Sequence, residues 1–226
     1  MNILNLKNIH KSYGSRKILN GLNLQMSDGE IVGFLGKNGQ GKSTTIKLIM
    51  GFLRPDNGII ELFENRKPDF SRIGFLQENP FLWDELTASE FLDGLSRIAD
   101  KTAYSTADLL KFVGLDQDGT RPVGQFSRGM KQRLGLAQTL ISDPDLLILD
   151  EPMTALDPIG RIRIKEILIQ LKGKKKSIFF SSHQLLEVQE IADRVVILDQ
   201  GTIVSNLKTS EIGNLESHFI EIVGRK

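Results

Sequence analysis

The sequence predicts an α/β fold in which helices cover a mainly parallel β-sheet. Short apolar runs alternate with helical patterns along most of the chain, as repeated βαβ units require. A glycine-rich loop at residues 36–43 joins one of these runs to a helical pattern. A stretch at about residues 83–140 has helical character and no strand-like run. This stretch predicts a helical insertion in the alternating pattern.

The first 80 residues contain the patterns of several strands and one helix. Alternation of apolar and polar residues predicts two half-buried strands, and short apolar runs predict three more. Glycine and proline after the helical pattern indicate where that helix ends. The predicted strands cover residues 2–6, 21–26, 30–35, 59–63 and 73–76, and the predicted helix covers residues 44–50.

The remaining elements follow the same reasoning. Three helical patterns make up the insertion, and compact apolar runs then alternate with two more helical patterns. The last apolar run is followed by a predicted exposed strand. The predicted helices cover residues 87–98, 105–113, 129–141, 159–171 and 184–192, and the predicted strands cover residues 146–149, 177–181, 195–198 and 202–205.

The composition excludes several classes of site. The chain of 226 residues has 29 Lys and Arg against 28 Asp and Glu, and it contains no cysteine. Without cysteine it forms no disulfide, no thiolate nucleophile and no Cys-ligated metal site. The near-zero net charge gives no global electrostatic argument for nucleic acid, and we expect no such partner. No apolar stretch approaches the roughly 18 residues that cross a bilayer, and the N-terminus lacks the apolar block of a signal peptide.

One run of like charges stands out, KGKKK at residues 172–176. It lies between a helical pattern and an apolar run. We interpret it as a solvated loop between a helix and a strand, with a binding patch as the alternative.

The glycine-rich loop fits the pattern G-x-x-x-x-G-K-[ST]. Glycines let the backbone bend so that successive N–H groups point at phosphate oxygens, and the dipole of the next helix adds to this attraction. Lys42 would place its charge on the β- and γ-phosphates, and the Ser43 hydroxyl would bind Mg²⁺. The loop therefore predicts ATP binding by Gly36, Lys37, Asn38, Gly39, Gln40, Gly41, Lys42, Ser43 and Thr44.

A second acidic motif follows the apolar run at residues 146–149. Asp150 and Glu151 come where a parallel strand ends, and ligands of open α/β sheets bind beyond the carboxyl ends of strands. Neighbouring side chains point to different sides, so the two acids can have separate roles. Asp150 would hold Mg²⁺ and Glu151 would polarise the water that attacks the γ-phosphate, with capping of the loop as the structural alternative.

With these elements in order, the chain resembles the ATP-binding-cassette (ABC) ATPases along nearly its whole length. The distinctive segment is FSRGMKQR at residues 126–133, which is similar to the family's LSGGQ signature. Ser127 and Gly129 match the pattern. Arg128 replaces a glycine and Met130 the glutamine, as in exporter-type cassettes. The resemblance implies that Ser127, Arg128, Gly129 and Met130 contact an ATP held by a second subunit, and Ser127 is also a good helix N-cap.

Three further positions match the family. Tyr13 resembles the aromatic residue that stacks on adenine, with ordinary packing as the alternative. Asp157 lies in a segment that resembles the loop crossing between paired subunits, where Ala155 stands in place of the usual glycine. His183 resembles the histidine that contacts the γ-phosphate.

One position departs from the family pattern. A glutamine after the fifth predicted strand usually reaches Mg²⁺ and the attacking water. Counting from Gly74 and from Thr87 puts this position at Glu78, whereas Gln77 lies one residue earlier. We favour Glu78 as the metal-facing residue and keep Gln77 as the alternative.

The resemblance also implies an architecture and partners. The fold would be a P-loop NTPase (RecA-like) core with an N-terminal antiparallel β subdomain. Residues 1–80 and 142–226 would form the nucleotide-binding core with that β subdomain, and residues 81–141 the helical signature subdomain. Two subunits, identical or paralogous, would close on ATP and Mg²⁺ at the cytoplasmic face of the membrane. Their motion would drive a separate integral membrane permease.

The motifs most resemble exporter-type cassettes, and import is the alternative direction. A different class, a soluble ABC ATPase of an assembly system such as iron–sulfur assembly, is compatible with the size of the chain. We expect the permease to contact the segment NPFLWDEL at residues 79–86, where apolar side chains cluster.

Overall fold

The structure is a computed structural model that describes residues 1–65, 69–99, 101–154 and 156–224. The chain falls into two compact units. The first comprises Met1–Phe70 and Ser177–Lys226, and the second comprises Ser71–Lys176. Among the described residues, a helix that is both long and apolar enough to cross a bilayer is absent.

The elements of the described residues alternate as the sequence predicts. The strands are β1 (Asn2–Tyr13), β2 (Arg16–Ser27), β3 (Ile31–Leu35), β4 (Asn57–Leu62), β5 (Ile73–Leu76), β6 (Leu146–Leu149), β7 (Ser177–Ser182), β8 (Arg194–Asp199) and β9 (Thr202–Lys208). The helices are α1 (Lys42–Ile49), α2 (Ala88–Ile98), α3 (Thr106–Phe112), α4 (Arg128–Thr139), α5 (Pro158–Gly173), α6 (Leu185–Ile191) and α7 (Leu215–Val223).

The first unit contains a three-stranded antiparallel sheet in the order β2-β1-β4. Its strands β1 and β2 are longer than the sequence predicts, and they form a hairpin that turns after Tyr13. The prediction stopped at Leu6 because the pairing register shifts between Leu6 and Ile9, where Asn8 has a left-handed backbone with φ 50°. Such a bulge interrupts the alternation on which the prediction depended.

The first unit also contains parallel strands that carry part of the site. Strand β3 lies between β7 and β8 and pairs with both in parallel, and β9 pairs with β8 in an antiparallel hairpin. All residues of β3 and β7 are buried, and the ring centroids of Phe34 and Phe179 are 5.2 Å apart. The predicted buried, parallel arrangement of these strands is confirmed.

In its described residues, the second unit combines one parallel pair of strands with four α-helices. Strands β5 and β6 pair in register, with Leu76 opposite Leu149. Helices α2, α3 and α4 lie between them in sequence, as predicted. Thr87 and Glu90 form a reciprocal capping box at the start of α2, which fixes that helix boundary within one residue of the prediction. The assignment of residues 81–141 to a separate signature subdomain stays a prediction.

Helix α7 is the α-helix, among the described residues, that the sequence analysis missed. It begins after Asn214, whose side-chain oxygen accepts a hydrogen bond from the Ser217 N–H. The helix is short, and only Leu215 and Val223 are buried along it. So few buried positions give a weak periodic signal, and the N-cap was the remaining clue.

Candidate functional site

The phosphate-loop residues follow buried strand β3. At the first and last glycines of the loop, Gly36 and Gly41, a side chain would clash with neighbouring atoms. A Cβ on Gly36 would lie 2.7 Å from the Leu198 carbonyl oxygen, and one on Gly41 would lie 2.8 Å from Leu19 Cδ2. Gly41 also has φ +112°, a conformation that L side chains avoid. The glycine spacing therefore reflects how closely the loop approaches its surroundings.

The two lysines of the loop have different environments. Lys42 is 6% exposed, and its Nζ donates a hydrogen bond of 2.6 Å to the Gly36 carbonyl oxygen. Lys37 is exposed. The ammonium of Lys42 is thus held against the loop backbone, whereas Lys37 is open to solvent.

The start of α1 is suited to an anion. Gly41 is its N-cap residue and makes no side-chain capping hydrogen bond. The first N–H groups of the helix therefore lack the usual side-chain acceptor. Ser43 lies at the second helical position with an exposed side chain, and the side-chain oxygen of Gln40 accepts a hydrogen bond from the Gln200 N–H, which anchors the loop.

His183 lies at the same edge of the first unit as the phosphate loop. Leu35 of β3 is aligned with Ser182 of β7, so Gly36 and His183 each follow the end of adjacent parallel strands, which lie about 4.8 Å apart. The His183 side chain is exposed. The predicted neighbourhood of His183 and the loop agrees with this register.

Tyr13 is the last residue of β1, and its ring is exposed to solvent. Its side chain is 51% exposed, and the Lys11 ammonium lies 5.9 Å from the ring centroid. A ring buried in the core could not stack on a base, so this exposure is compatible with the predicted contact with adenine.

In the second unit, Asp150 and Glu151 follow β6. The Asp150 N–H donates to the Leu76 carbonyl oxygen at 2.8 Å, which extends the pairing of β5 and β6 by one residue. Glu151 then adopts a left-handed backbone with φ 49° and is 8% exposed. A non-glycine residue in this region is strained, and such strain is concentrated at functional positions.

The Glu151 carboxylate is held by a neighbour that the sequence analysis did not name. Thr154 Oγ1 donates to Glu151 Oε2 at 2.9 Å, and the Thr154 N–H donates to the Glu151 carbonyl oxygen at 3.1 Å. The three-residue spacing from acid to threonine was the available signal. Thr154 thereby fixes the side chain and the turn together.

Gln77 and Glu78 directly follow β5, and both are exposed. Neither side chain forms a hydrogen bond or an ion pair with another residue in the part of the chain that the structure describes. Both are therefore able to reach a ligand, and the choice between Glu78 and Gln77 stays a prediction.

The signature segment opens helix α4. Ser127 is its N-cap, and its Oγ accepts a hydrogen bond of 3.2 Å from the Met130 N–H. A Cβ on Gly129 would meet no atom closer than 3.9 Å, so local sterics in the chain do not demand this glycine. Arg128, which replaces the family's glycine, donates to Asn79 Oδ1 at 3.2 Å. The substitution thus links the signature segment to the loop that contains Glu78.

Asp157 caps helix α5. Its Oδ1 accepts a hydrogen bond of 2.6 Å from the Gly160 N–H, so its carboxylate has a clear role within the chain. Ala155, the other position of this segment, lies outside the described residues. The crossing of Asp157 to a second subunit stays a prediction.

Comparison with known proteins gives consistent matches. The family model described as ABC transporter matches residues 19–154. The chain is 43% identical to an ABC transporter ATP-binding protein of Nostoc sp. (strain PCC 7120), which it matches over 90% of its own length and 64% of that protein's. It is 38% identical to the bacitracin transport ATP-binding protein BcrA of Bacillus licheniformis, over 97% of this chain and 74% of BcrA.

Two further comparisons cover almost complete chains. The lantibiotic transport ATP-binding protein SrtF of Streptococcus pyogenes is 39% identical over 96% of both chains. A solved structure of the ATP-binding subunit of an ABC transporter superposes with a TM-score of 0.85 at 28% identity, covering 97% of this chain and 99% of that one. The predicted P-loop NTPase fold is confirmed by this likeness.

Proposed function

This chain belongs to the ABC transporter family and is an ATP-binding, ATP-hydrolysing subunit of such a transporter, and from this premise we propose that it powers export through a separate membrane permease. The observation that carries the ATP-dependent part of this proposal is the geometry of the phosphate loop. Its glycines allow close backbone approach, its lysine Nζ is held on the Gly36 carbonyl, and the following helix has no side-chain cap. This arrangement is suited to a polyphosphate.

We propose the catalytic roles from the family resemblance, and the geometry of each unit is compatible with them. Lys42 and the loop N–H groups bind the phosphates, and His183 contacts the γ-phosphate from the adjacent strand. Tyr13 stacks on the adenine. Glu151 polarises the attacking water, with Thr154 orienting its carboxylate. A second ATPase subunit, identical or paralogous, completes each site by presenting its Ser127 and the following helix start to the γ-phosphate.

The donor chemistry fits Mg²⁺. The hydroxyl of Ser43 and the carboxylate of Asp150 are hard oxygen ligands, which this cation prefers, and Glu78 or Gln77 would add a third. Groups of three or more His, Asp and Glu side chains that could hold a metal ion by themselves are absent from the described residues, so phosphate and water oxygens would complete the coordination. The bound ion would neutralise charge that develops on the phosphates.

The permease would dock on the segment after Glu78, at the cytoplasmic face of the membrane. Phe81 is 74% exposed and Trp83 is 45% exposed, and their ring centroids are 6.4 Å apart. Trp83 also packs edge-on against buried Phe91 at 5.7 Å. A pair of exposed aromatic residues, one of them anchored to the core, is typical of an interface.

Replacing Phe81 with serine is expected to raise the Kd for the permease about tenfold or more, because exposed aromatic anchors dominate interface energies. The melting temperature should stay unchanged, since the ring is exposed. The matched control is Ile98→Ser, which removes an apolar side chain that is 78% exposed at the end of α2. Binding to permease in lipid nanodiscs measures the effect, and an equal loss in both variants would contradict the docking site.

Alanine at Gln77 and at Glu78, made separately, identifies the metal-facing residue. If Glu78 has this role, Glu78→Ala lowers the ATP hydrolysis rate about 10-fold to 100-fold and raises the Mg²⁺ concentration needed for half-maximal rate, because a second-sphere or direct oxygen ligand is lost. Gln77→Ala should then retain most activity. The reverse pattern would assign the role to Gln77.

The cargo proposed for a first test is a peptide antibiotic. Two of the relatives described above are a bacitracin and a lantibiotic transport protein, and bacitracin and lantibiotics are peptides. Cells that produce the chain with its permease should tolerate more of such a peptide, and cells with Glu151→Gln should not. Import would instead increase sensitivity to the peptide.

The alternative function is a soluble ATPase of an assembly system. Affinity purification of the full chain from detergent-solubilised membranes distinguishes the two. We expect an integral membrane protein to accompany it and to increase its ATPase rate. Co-purification with soluble proteins alone would favour the assembly function.

A further inference from the structure

The second unit contains a cavity of about 240 Å³ that none of the proposed ATP-binding or docking residues lines. It lies among α3, the end of α4 and the end of α5. Three buried leucines form its apolar wall, and two aromatic residues and a lysine lie beside them: Leu109, Leu140, Leu171, Tyr104, Phe112 and Lys174. This volume is just below the range of about 300–1,000 Å³ that is usual for ligand pockets, so it fits a fragment-sized molecule.

Lys174 gives the cavity an uncompensated charge. Its Nζ lies 4.6 Å from the ring centroid of Phe112 and 5.6 Å from that of Tyr104. Within the described part of the chain its ammonium forms no ion pair with a carboxylate. The two rings therefore hold a cation beside the apolar wall, and this lysine belongs to the charge run that the sequence analysis interpreted as a loop.

The other charges of the lining are already compensated or hydrogen-bonded. Lys176 Nζ lies 2.7 Å from Asp143 Oδ1, and the Tyr104 hydroxyl donates to the same oxygen at 2.9 Å. Burial acts to raise the pKa of the Asp143 carboxyl, but the hydrogen bonds from Lys176 and Tyr104 outweigh it and lower that pKa. Asp108, which also lines the cavity, accepts a hydrogen bond of 2.6 Å from Ser105 Oγ.

We propose that this cavity binds a small molecule with an aromatic or aliphatic body and one anionic group. The body would lie against Leu109, Leu140 and Leu171, and the anionic group would pair with the Lys174 ammonium. Transfer of the apolar body from water supplies affinity, and the charge pair supplies selectivity for an anion. The proposal does not depend on the transport function, because it uses none of the residues assigned to ATP or to the permease.

Titration of the full chain with 1-naphthoate, in the presence of saturating ATP to occupy the phosphate loop, tests the proposal by calorimetry. We expect saturable binding of one molecule. Lys174→Ala should raise the Kd about tenfold, whereas the matched control Lys111→Ala, an exposed lysine of α3 outside the lining, should change it less than twofold. The uncharged analogue 1-naphthalenemethanol should bind the unaltered chain about tenfold more weakly than 1-naphthoate.

Absence of saturable 1-naphthoate binding to the unaltered chain would overturn the proposal. Equal Kd values for Lys174→Ala and Lys111→Ala would also overturn it, because the anion would then not be held by Lys174. Lys174 is exposed, so its removal should leave the chain folded. An unchanged melting temperature of Lys174→Ala ensures that any loss of binding reflects the missing charge.

Discussion

Glu151→Gln is expected to lower the ATP hydrolysis rate about 10²-fold to 10⁴-fold, the range for loss of a positioned general base. Glutamine keeps the size of the side chain and can still accept a hydrogen bond from Thr154, but it cannot take a proton from water. ATP binding should survive, because the phosphate loop is unaltered. The variant should therefore accumulate with ATP as a closed dimer, which size-exclusion chromatography with and without ATP measures.

The matched control for this variant is Glu216→Gln, which makes the same chemical change at an exposed residue in the first turn of α7. It should hydrolyse ATP at the normal rate.

Thr154→Val provides a second comparison, because it removes the hydroxyl that donates to the Glu151 carboxylate without removing the proposed base. We expect its rate to fall between those of the unaltered chain and Glu151→Gln. Normal turnover by Glu151→Gln would rule out the general-base role.

Sequence reasoning predicted the local structure well where it depends on a short contiguous motif. The phosphate loop, strand β6 and the acids after it are each contained in fewer than ten residues, and their chemistry demands fixed residue types. Strand β6 was predicted with its observed bounds, because a fully buried strand appears as an uninterrupted apolar run. The positive backbone angle of Glu151 was not predictable, since nothing in the residue type requires it.

The features that sequence reasoning missed depend on contacts between residues distant in the chain. The hydrogen bond between Arg128 and Asn79 spans 49 positions. It provides a structural role for Arg128, which the family resemblance explained only as a feature of exporter-type cassettes. Lys131 and Asp84, 2.6 Å apart, link the same two segments a second time. The cavity beside Lys174 could not be predicted for the same reason, because its wall comes from helices that are distant in the sequence. The sequence showed only the charge run at residues 172–176, to which Lys174 belongs.

Lys42→Ala is expected to weaken ATP binding about 10-fold to 100-fold, since hydrogen bonds to charged groups contribute about 1.5–3 kcal/mol each. Hydrolysis should fall at least as far, because in the proposed mechanism this lysine also stabilises charge that develops on the phosphates. The clearest readout is the melting temperature. A ligand present at 100 times its Kd stabilises a protein by about 2.7 kcal/mol, which corresponds to several degrees for a chain of this length. At the same ATP concentration the variant should lose about half of this shift if its Kd rises tenfold, and most of it if its Kd rises about 100-fold.

Lys37→Ala is the control that makes this experiment specific. It removes the same charge from the same loop, so any effect of net charge on ATP attraction is common to both variants. The two lysines differ in placement: Lys42 is buried with its Nζ on the Gly36 carbonyl, whereas Lys37 is exposed. We therefore expect Lys37→Ala to retain the ATP-induced shift within about one degree. Equal losses in the two variants would mean that the loop attracts ATP by its overall charge, and that the placement of Lys42 has no special role.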